Sequence, residues 1–276
     1  MSFSGLSPNG VPYTCDSWPE DKTGDFNCAI LDIDITHRCN LRCDGCMHYC
    51  NYGIGGDHPF GEGGQWMRNW AGKVKPARFT IVGGEPLLHP GLHDYMLLGA
   101  ELFPDSRRRV YTNGWFLHAT LGKWLQETGF DLYISMYPVS SDKVLRRDEG
   151  IRRFLSEVPQ DVSVQAVQMK DHWRRPHLGF GSTLRPHNSD PVGAWSWCTA
   201  RHAVQLHDNR LWKCCVSAYL PMALGKLGLM ECPEWQPFLD QHSLGTEATY
   251  DDVAVFALRG AEAICEMCPD DGWGEV

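Results

Sequence analysis

The chain has 276 residues and a mass of 31.2 kDa, with 25 basic residues, 34 acidic residues and a formal net charge of −9. This acidic balance argues against a nucleic-acid partner and against an anionic membrane surface. No run approaches the roughly 18 apolar residues of a membrane span, and the N-terminal segment lacks the basic start and apolar stretch of a secretory signal. We therefore expect a cytoplasmic protein with no membrane or nucleic-acid partner.

Short apolar segments alternate with longer mixed segments from residue 29 onwards. Segments rich in β-branched and aromatic residues predict strands at 29–36, 78–84, 108–114, 130–138 and 161–169. Helical patterns lie between them at 92–104, 118–130 and 141–158. The alternation predicts right-handed βαβ units on a parallel sheet. Both a TIM-like barrel and a doubly wound open sheet satisfy this pattern, and both place the chemistry at the carboxyl ends of the strands.

The pattern changes after about residue 170. Residues 170–197 are rich in proline, glycine and tryptophan and predict a loop, whereas residues 202–215 predict a β-hairpin with Asp208 and Asn209 at its turn. We predict three parts of the chain: an N-terminal extension, a core and a C-terminal domain. They cover residues 1–28, 29–190 and 191–276.

Twelve cysteines are too many for an ordinary chain in a reducing compartment, and their clustering indicates metal or redox chemistry. One group lies in the segment THRCNLRCDGCMHYC at 36–50, and a second group lies between residues 198 and 268. Two metal sites are therefore expected. The first segment does not match the two C-x2-C pairs of a zinc ribbon. It also does not match the C-x2-C-x2-C-x3-C run of a bacterial ferredoxin, because its first interval between cysteines is one residue longer.

The C-x3-C-x2-C spacing after a strand, followed by FTIVGGEPLLHPGL at 79–92, resembles the radical S-adenosylmethionine (radical SAM) superfamily. The resemblance implies a partial (β/α) TIM-like barrel. It also implies a [4Fe–4S] cluster on Cys39, Cys43 and Cys46, whose fourth iron is open to S-adenosylmethionine (AdoMet).

The same resemblance implies AdoMet contacts at the ends of the following strands. Gly83 and Gly84 let the backbone approach closely, and the Glu85 carboxylate is expected to accept a hydrogen bond from the ammonium group of AdoMet. The predicted AdoMet-binding residues are Gly83, Gly84, Glu85, Pro86, Asn113, Ser135 and Tyr137. The loop departs from the family at Gly45, where an aromatic residue is usual. Met47, His48 and Tyr49 are the candidates to replace it.

The second cysteine group resembles the SPASM/twitch auxiliary module of radical SAM enzymes. Asn209 stands where that pattern has glycine, and asparagine tolerates the left-handed conformation that the hairpin turn needs. The resemblance implies one auxiliary [4Fe–4S] cluster of the shorter, twitch-like form, with a structural zinc ion as the alternative. The predicted ligands are Cys198, Cys214, Cys265 and Cys268, and Cys215 is the alternative to Cys214.

Five cysteines remain outside both ligand sets. The ordinary expectation for Cys15, Cys28, Cys50, Cys215 and Cys232 is that of small buried hydrophobic residues. Cys50 and Cys215 are also candidate hydrogen-atom donors, since each neighbours a predicted cluster. Further polar groups are candidates for the pocket: His48, His172, Arg174 and Arg175.

The resemblance implies an oxidoreductase or epimerase of biosynthesis that cleaves AdoMet reductively and abstracts a hydrogen atom from its substrate. The short segment before the first strand favours a small polar substrate, such as a sugar or an aminocyclitol, over a peptide. The expected electron donor is a flavodoxin or a ferredoxin. The alternatives are a peptide-modifying radical SAM epimerase or cross-linking maturase, and a non-enzymatic iron–sulfur or zinc-binding protein.

Overall fold

The computed structural model describes residues 25–138, 141–169, 175–239 and 243–271, together with the paired short strands β1 (Gly5–Leu6) and β2 (Pro12–Tyr13). The other strands are β3 (Cys28–Asp34), β4 (Pro76–Val82), β5 (Arg107–Thr112), β6 (Phe130–Met136), β7 (Val164–Gln168), β8 (Ala203–His207) and β9 (Arg210–Trp212). The helices are α1 (Phe60–Trp70), α2 (Leu92–Leu102), α3 (Ala119–Thr128), α4 (Ser141–Glu157), α5 (Pro191–Trp197), α6 (Cys215–Leu227), α7 (Gln236–Leu239) and α8 (Tyr250–Ala257).

Strands β3 to β9 form one open sheet in the order β7-β6-β5-β4-β3-β8-β9. Every neighbouring pair is parallel except β8 and β9. The five strands predicted in the first part of the chain are confirmed, with ends shifted by up to three residues. The sheet is not closed, so the predicted partial barrel is the observed fold class. Its carboxyl edge gathers the residues that follow β3, β4, β5 and β6.

The predicted hairpin is confirmed as β8 and β9. Asp208 and Asn209 at its turn have φ values of 49° and 56°, which is the left-handed conformation expected there. The hairpin is continuous with the core: β8 pairs in parallel with β3, from Ile30 beside Ala203 to Ile33 beside Leu206. The C-terminal part of the chain therefore completes the sheet that carries the first cysteine segment.

Helix α1 was not predicted, because its sequence FGEGGQWMRNW contains three glycines. Its packing explains two of them. A Cβ atom at Gly63 would lie 2.0 Å from the Tyr95 hydroxyl, and one at Gly64 would lie 3.3 Å from Leu98. The close approach lets the Tyr95 hydroxyl donate to the His58 carbonyl (2.9 Å), just before the helix begins. The glycines lower the helix propensity of α1, but they allow its close contact with α2.

The predicted loop at 170–197 ends in a short helix instead, α5. Asp190 caps it by accepting from the Gly193 N–H group (2.6 Å), and Pro191 is its first residue. An Asp-Pro pair is a typical helix start, so the sequence contained the signal for α5.

Two large apolar clusters build the interior. One lies between the sheet and α1 to α4. The other surrounds α6 and includes Tyr49 from the cysteine segment. No helix in the described residues is long and apolar enough to cross a membrane.

Candidate functional site

The end of β4 fixes the chain just before the first cysteine. The Gly84 N–H group donates to the Thr36 carbonyl (2.7 Å), and the Glu85 N–H group donates to the Arg38 carbonyl (2.8 Å). Gly83 has a φ of 142°, and a Cβ atom there would lie 2.4 Å from the Thr36 oxygen. At Gly84 a Cβ atom would lie 2.2 Å from the Arg38 oxygen. Only glycine permits this contact, which sets the entry of the cysteine segment.

The Glu85 carboxylate joins the ends of β4 and β5. It is 0% exposed and accepts hydrogen bonds from the Thr112 hydroxyl (2.7 Å), the Asn113 N–H group (2.7 Å) and the Leu87 N–H group (3.1 Å). Burial raises the pKa of Glu85 to about 7, although the three donors oppose the shift. Because both oxygens are used within the chain, the predicted contact between this carboxylate and the ammonium group of AdoMet stays a prediction, and these bonds compete with it.

Asn113 reaches from the end of β5 to the cysteine segment. Its side-chain amide donates to the Asn40 carbonyl oxygen (2.7 Å) and lies 3.9 Å from the Cys39 sulfur. The Leu41 N–H group donates to the same sulfur (3.4 Å). Hydrogen bonds of this kind stabilise the thiolate form and tune the potential of a bound cluster. Cys39 thus has the surroundings of a cluster ligand.

The sulfurs of Cys39, Cys43 and Cys46 lie together in this segment. Burial raises the pKa of Cys43 to about 12, and the neighbouring sulfurs of Cys46 and Cys39 contribute to the increase. Burial also raises the pKa of Cys39. Three half-buried sulfurs that repel one another's negative charge are a donor set that bound iron would neutralise. The residues therefore fit a cluster held by three cysteines.

Cys50 lies beside Cys46, one of the predicted ligands. A hydrogen bond from its thiol to the Cys46 sulfur lowers the pKa of Cys46. Cys50 is 8% exposed, and the His48 carbonyl oxygen, at 3.5 Å, is a second acceptor for its thiol. The packing role expected for Cys50 thus comes with a hydrogen bond to a predicted ligand.

Gly45 has a φ of 77°. An aromatic residue there would be strained in this left-handed region, which explains the departure from the family pattern. Of the candidates to replace the missing ring, Tyr49 is 1% exposed and its hydroxyl is bonded to His177 (2.5 Å). The Met47 sulfur faces the Thr199 hydroxyl (3.9 Å). Both side chains are thus directed at other parts of the protein.

Strand β6 ends beside the same cysteines. Ser135 is buried, and the Tyr137 hydroxyl is hydrogen-bonded to it. Burial raises the pKa of Tyr137, and Cys43 and Cys46 act in the same direction. The ends of β4, β5 and β6 therefore converge on the cysteine segment, and Tyr137 supplies an aromatic ring there. Whether these residues touch AdoMet remains a prediction.

His48 links the first cysteine segment to the C-terminal part of the chain. Its Nδ1 atom lies 2.7 Å from Asp34 Oδ2, and its ring is hydrogen-bonded to the Cys215 thiol. Burial opposes the charged imidazole, but the Asp34 carboxylate and the Cys215 thiol raise the pKa of His48 well above its ordinary value. Of the other polar candidates, Arg175 forms an ion pair with Asp44. His172 and Arg174 lie outside the described residues.

The cysteines of the second group also lie close together in the structure. Burial raises the pKa of Cys198 to about 12, and the nearby sulfurs of Cys214 and Cys265 add to the shift. The Cys268 N–H group donates to the Cys265 carbonyl (3.1 Å). Lys213 stands close enough to Cys265 to oppose the increase of its pKa. The four predicted ligands therefore share one location, with a cation beside them.

The arrangement bears on the choice between Cys214 and Cys215 as a ligand. Cys214 stands with the predicted ligands just before α6, whereas the thiol of Cys215 is hydrogen-bonded to His48. The auxiliary [4Fe–4S] cluster and the alternative of a structural zinc ion on these cysteines both stay predictions.

The remaining cysteines differ in their surroundings. Cys28 is 1% exposed and packs in the main core, as expected for a small hydrophobic residue. Cys232 is half-buried beside the second apolar cluster, and Cys15 lies outside the described residues.

A group of histidines at the same edge of the sheet was missed by the sequence analysis. His37, His58 and His207 each offer a nitrogen within 4.8 Å of the others. Burial lowers the pKa of His37 to about 4 and that of His207 to about 3, and it also lowers the pKa of His58. All three imidazoles are therefore neutral at neutral pH. No spacing rule connects residues so far apart in the chain.

Comparisons with known proteins agree with the cysteine motifs. No protein-family model matches the chain. It is 29% identical to the GTP 3′,8-cyclase of Lactiplantibacillus plantarum over 182 residues, which cover 62% of this chain and 51% of the cyclase. It is also 29% identical to the 7,8-dihydro-6-hydroxymethylpterin dimethyltransferase of Methanocaldococcus jannaschii over 96 residues, 34% of this chain and 18% of that enzyme. The chain thus spans about half of one relative and less of the other.

Solved structures with a similar fold include BtrN in complex with AdoMet and 2-DOIA, at 17% identity and a TM-score of 0.49, covering 83% of this chain and 85% of BtrN. Another is anSMEcpe with bound AdoMet and a peptide, at 20% identity and a TM-score of 0.36, covering 50% of this chain and 42% of that one. Both curated relatives are radical SAM members. In this chain the two motifs that resemble that superfamily lie side by side at the carboxyl ends of β3 and β4.

Proposed function

We propose that this protein is an enzyme that abstracts a hydrogen atom from a small polar substrate of the sugar or aminocyclitol class, and that it dehydrogenates or epimerises that substrate. Cys39, Cys43 and Cys46 hold a [4Fe–4S] cluster that binds AdoMet. Cys198, Cys214, Cys265 and Cys268 hold an auxiliary [4Fe–4S] cluster. A flavodoxin or ferredoxin supplies the electron.

One observation carries the proposal. The three-cysteine segment is held at the end of β3 by the Gly83 and Gly84 contacts, while Cys50 donates its hydrogen bond to Cys46. Three ligands leave one iron available to a small molecule. When bound, the reduced cluster and AdoMet together supply a 5′-deoxyadenosyl radical, which abstracts hydrogen.

The chain's own residues orient and shield this chemistry. Asn113 and Leu41 direct N–H groups at the Cys39 sulfur. The Glu85 carboxylate joins the end of β4 to the end of β5 through hydrogen bonds from Thr112 and Asn113, next to the cysteine segment. Ser135 and Tyr137 stand at the end of β6, where they can meet the ribose or the carboxylate of AdoMet. Gly83 and Gly84 hold the cysteine segment by admitting the Thr36 and Arg38 carbonyl groups against their backbone.

Epimerisation is supported by the buried Cys215 thiol: burial raises its pKa and so retains the S–H hydrogen that this reaction needs, although His48 opposes the shift. In that reaction the substrate carbon loses a hydrogen atom on one face and gains the Cys215 S–H hydrogen on the other. The resulting sulfur radical then takes an electron and a proton from the reducing system. In a dehydrogenation, a base would take the hydroxyl proton, and a cluster held by Cys198, Cys214, Cys265 and Cys268 would serve as the acceptor of the second electron. The proposal therefore includes a test that separates the two outcomes.

The first test is AdoMet cleavage. Protein reconstituted with iron and sulfide under anaerobic conditions, then reduced, is expected to convert AdoMet into 5′-deoxyadenosine and methionine. Cys39→Ala should abolish this conversion, because it removes a cluster ligand. Cys232→Ala is the matched control, since Cys232 lies in neither ligand set, and it should retain activity and iron content. Absence of 5′-deoxyadenosine from the reconstituted wild-type protein would overturn the proposal.

The second test identifies the outcome. A panel of sugars and aminocyclitols is incubated with the enzyme in deuterated water, and the masses of the products are measured by mass spectrometry. An epimerase gives a product one mass unit heavier, with deuterium at the inverted carbon. A dehydrogenase gives a product two mass units lighter. Cys215→Ala should still form 5′-deoxyadenosine but should lose the epimerised product. An undiminished yield of that product would exclude Cys215 as the hydrogen donor.

A further inference from the structure

Three histidines from distant parts of the chain meet beside the first cysteine segment. His37 follows β3, His58 precedes α1 and His207 is the last residue of β8. Their ring centroids are 5.4 Å apart for His37 and His58, 5.5 Å for His58 and His207, and 6.2 Å for His37 and His207. One nitrogen of each ring lies within 4.8 Å of the other two.

Among the described residues, four of the six ring nitrogens in this group are buried and have no hydrogen-bond partner. His37 is 1% exposed, and neither of its ring nitrogens forms a hydrogen bond. His58 Nε2 and His207 Nδ1 are likewise buried without a hydrogen-bond partner. Buried polar atoms in proteins almost always have partners. Edge-to-face packing of the rings would be served equally well by phenylalanine, so packing alone does not account for three imidazoles with unpartnered nitrogens.

We propose that His37, His58 and His207 bind one zinc ion, at a site separate from both iron–sulfur clusters. Neutral imidazole is a preferred zinc ligand, and three histidines with an open fourth position form a known type of zinc site. Zn–N bonds of about 2.0–2.1 Å require nitrogens roughly 3.3 Å apart. The observed separation, within 4.8 Å, closes to that value by small rotations of the side chains.

The surroundings of the histidines match those of a metal centre. Asp34 Oδ2 lies 3.9 Å from His37 Nδ1, which is too far for a hydrogen bond but places a buried carboxylate beside one of the three histidines, where its charge would favour a bound cation. Trp66 stands 5.1 Å from His58 and 5.8 Å from His207, and Tyr219 stands 4.6 Å from His37. These rings shield the site, while the half-buried His58 and His207 leave a route for the ion.

The position of the site suggests what the ion does. His37 is two residues before Cys39, and His207 belongs to the hairpin that leads to Cys214. The ion would therefore tie the strand that carries the first cysteine group to the strand that leads to the second. It positions the two groups relative to one another without touching AdoMet or the substrate.

The test uses the holoprotein with both clusters reconstituted, dialysed with zinc chloride and then freed of unbound metal. Elemental analysis should find about one zinc ion per chain in addition to iron. X-ray absorption at the zinc edge should show nitrogen or oxygen neighbours at about 2.0–2.1 Å and no sulfur at about 2.3 Å. Absence of zinc, or sulfur neighbours around it, would overturn the proposal. This measurement needs no variant.

Variants provide the second arm. His58→Gln and His207→Gln should each lower zinc affinity at least about tenfold, with iron content unchanged. His93→Gln is the matched control, since His93 pairs with Glu127 at the surface (3.0 Å), and it should bind zinc as the wild type does. Retention of wild-type zinc affinity in the double variant His58→Gln/His207→Gln would also overturn the proposal. Circular dichroism and iron content identify a variant that has failed to fold.

Discussion

His48 Nδ1 lies 2.7 Å from Asp34 Oδ2, which joins the middle of the cysteine segment to the last residue of β3. Asp34 is 1% exposed. Burial opposes its charge, but His48 outweighs burial and lowers the pKa of the carboxyl group. Gln205 on β8 donates to the other carboxylate oxygen (3.3 Å). Asp34 therefore connects the cysteine segment, β3 and β8 through one buried charge.

Removing one member of this pair should destabilise the protein. Asp34→Asn leaves the imidazolium of His48 without its carboxylate, and we expect the free energy of unfolding to fall by about 3 kcal/mol. His48→Gln leaves the buried Asp34 carboxylate without its charged partner, with a similar loss expected. The double variant removes both charges, so it should lose less than the sum of the two single variants, with a coupling energy of about 1–3 kcal/mol. Urea unfolding of the iron-free protein measures all four species, and additive losses would contradict the pairing.

The Cys50 hydrogen bond should tune the cluster potential. Cys50→Ala removes the donor to the Cys46 sulfur, and a ligand without that donor stabilises the reduced cluster less well. A hydrogen bond worth about 0.5–1.5 kcal/mol corresponds to a shift of roughly 20–60 mV towards more negative potential. Redox titration followed by electron paramagnetic resonance measures this shift.

The Cys50 experiment also distinguishes a hydrogen-bond donor from a fourth ligand. Iron per chain should be the same in Cys50→Ala, in Cys232→Ala and in the wild type, and only Cys50→Ala should change the potential. Loss of the cluster from Cys50→Ala would make Cys50 a ligand. A potential equal to that of Cys232→Ala would show that the bond has no effect on the cluster.

The sequence predicted most of the parallel sheet because each strand is a local run of β-branched and aromatic residues. It did not predict α1, because the gain from letting Tyr95 approach Gly63 depends on a distant helix. The spacing of the predicted ligands in the first cysteine segment is a local feature of the sequence, and their ligand role stays a prediction. Asp34 gave no local signal of its contact with His48, since in AILDIDIT it has the pattern of an ordinary alternating strand residue.

Long-range contacts explain the other omissions. The histidine group joins residues 37, 58 and 207, and the parallel pairing of β3 with β8 brings them together. That pairing spans more than half of the chain, and no periodicity in the sequence reports it. The role of Gly45 likewise became clear only from its φ of 77°.

The buried Glu85 should make stability depend on pH. Its pKa is about 7 in the folded protein against an ordinary 4.5. The folded state therefore binds the Glu85 proton more tightly than the unfolded state does. The contribution of this proton to the free energy of unfolding is greatest below about pH 4.5 and is lost as the pH rises to about 7. The shift corresponds to about 3 kcal/mol. Glu85→Gln lacks this titration, so its deficit relative to the wild type should shrink by about that amount between pH 4.5 and pH 7.5.

The comparison is made by urea unfolding of the iron-free wild type and variant across that pH range. Glu101→Gln is the control, because Glu101 is an exposed residue of α2. Its difference from the wild type supplies the baseline against which Glu85→Gln is judged. A constant difference for Glu85→Gln relative to that baseline would show that the pKa of Glu85 in the folded protein is not raised above its ordinary value.

The left-handed Gly45 should resist substitution. With φ at 77°, Gly45→Ala places a Cβ atom in a strained conformation that costs about 1–2 kcal/mol, and the strain lies between the second and third cluster ligands. We expect lower stability and weaker retention of iron during gel filtration. Gly45→Asn should lose less, because asparagine tolerates this conformation better. Gly150→Ala in α4 is the control: no atom lies within 4 Å of its added Cβ, and alanine there should stabilise the helix by about 0.5–1 kcal/mol. Equal behaviour of Gly45→Ala and Gly150→Ala would mean that the segment relaxes around the new side chain and that its fold does not depend on glycine.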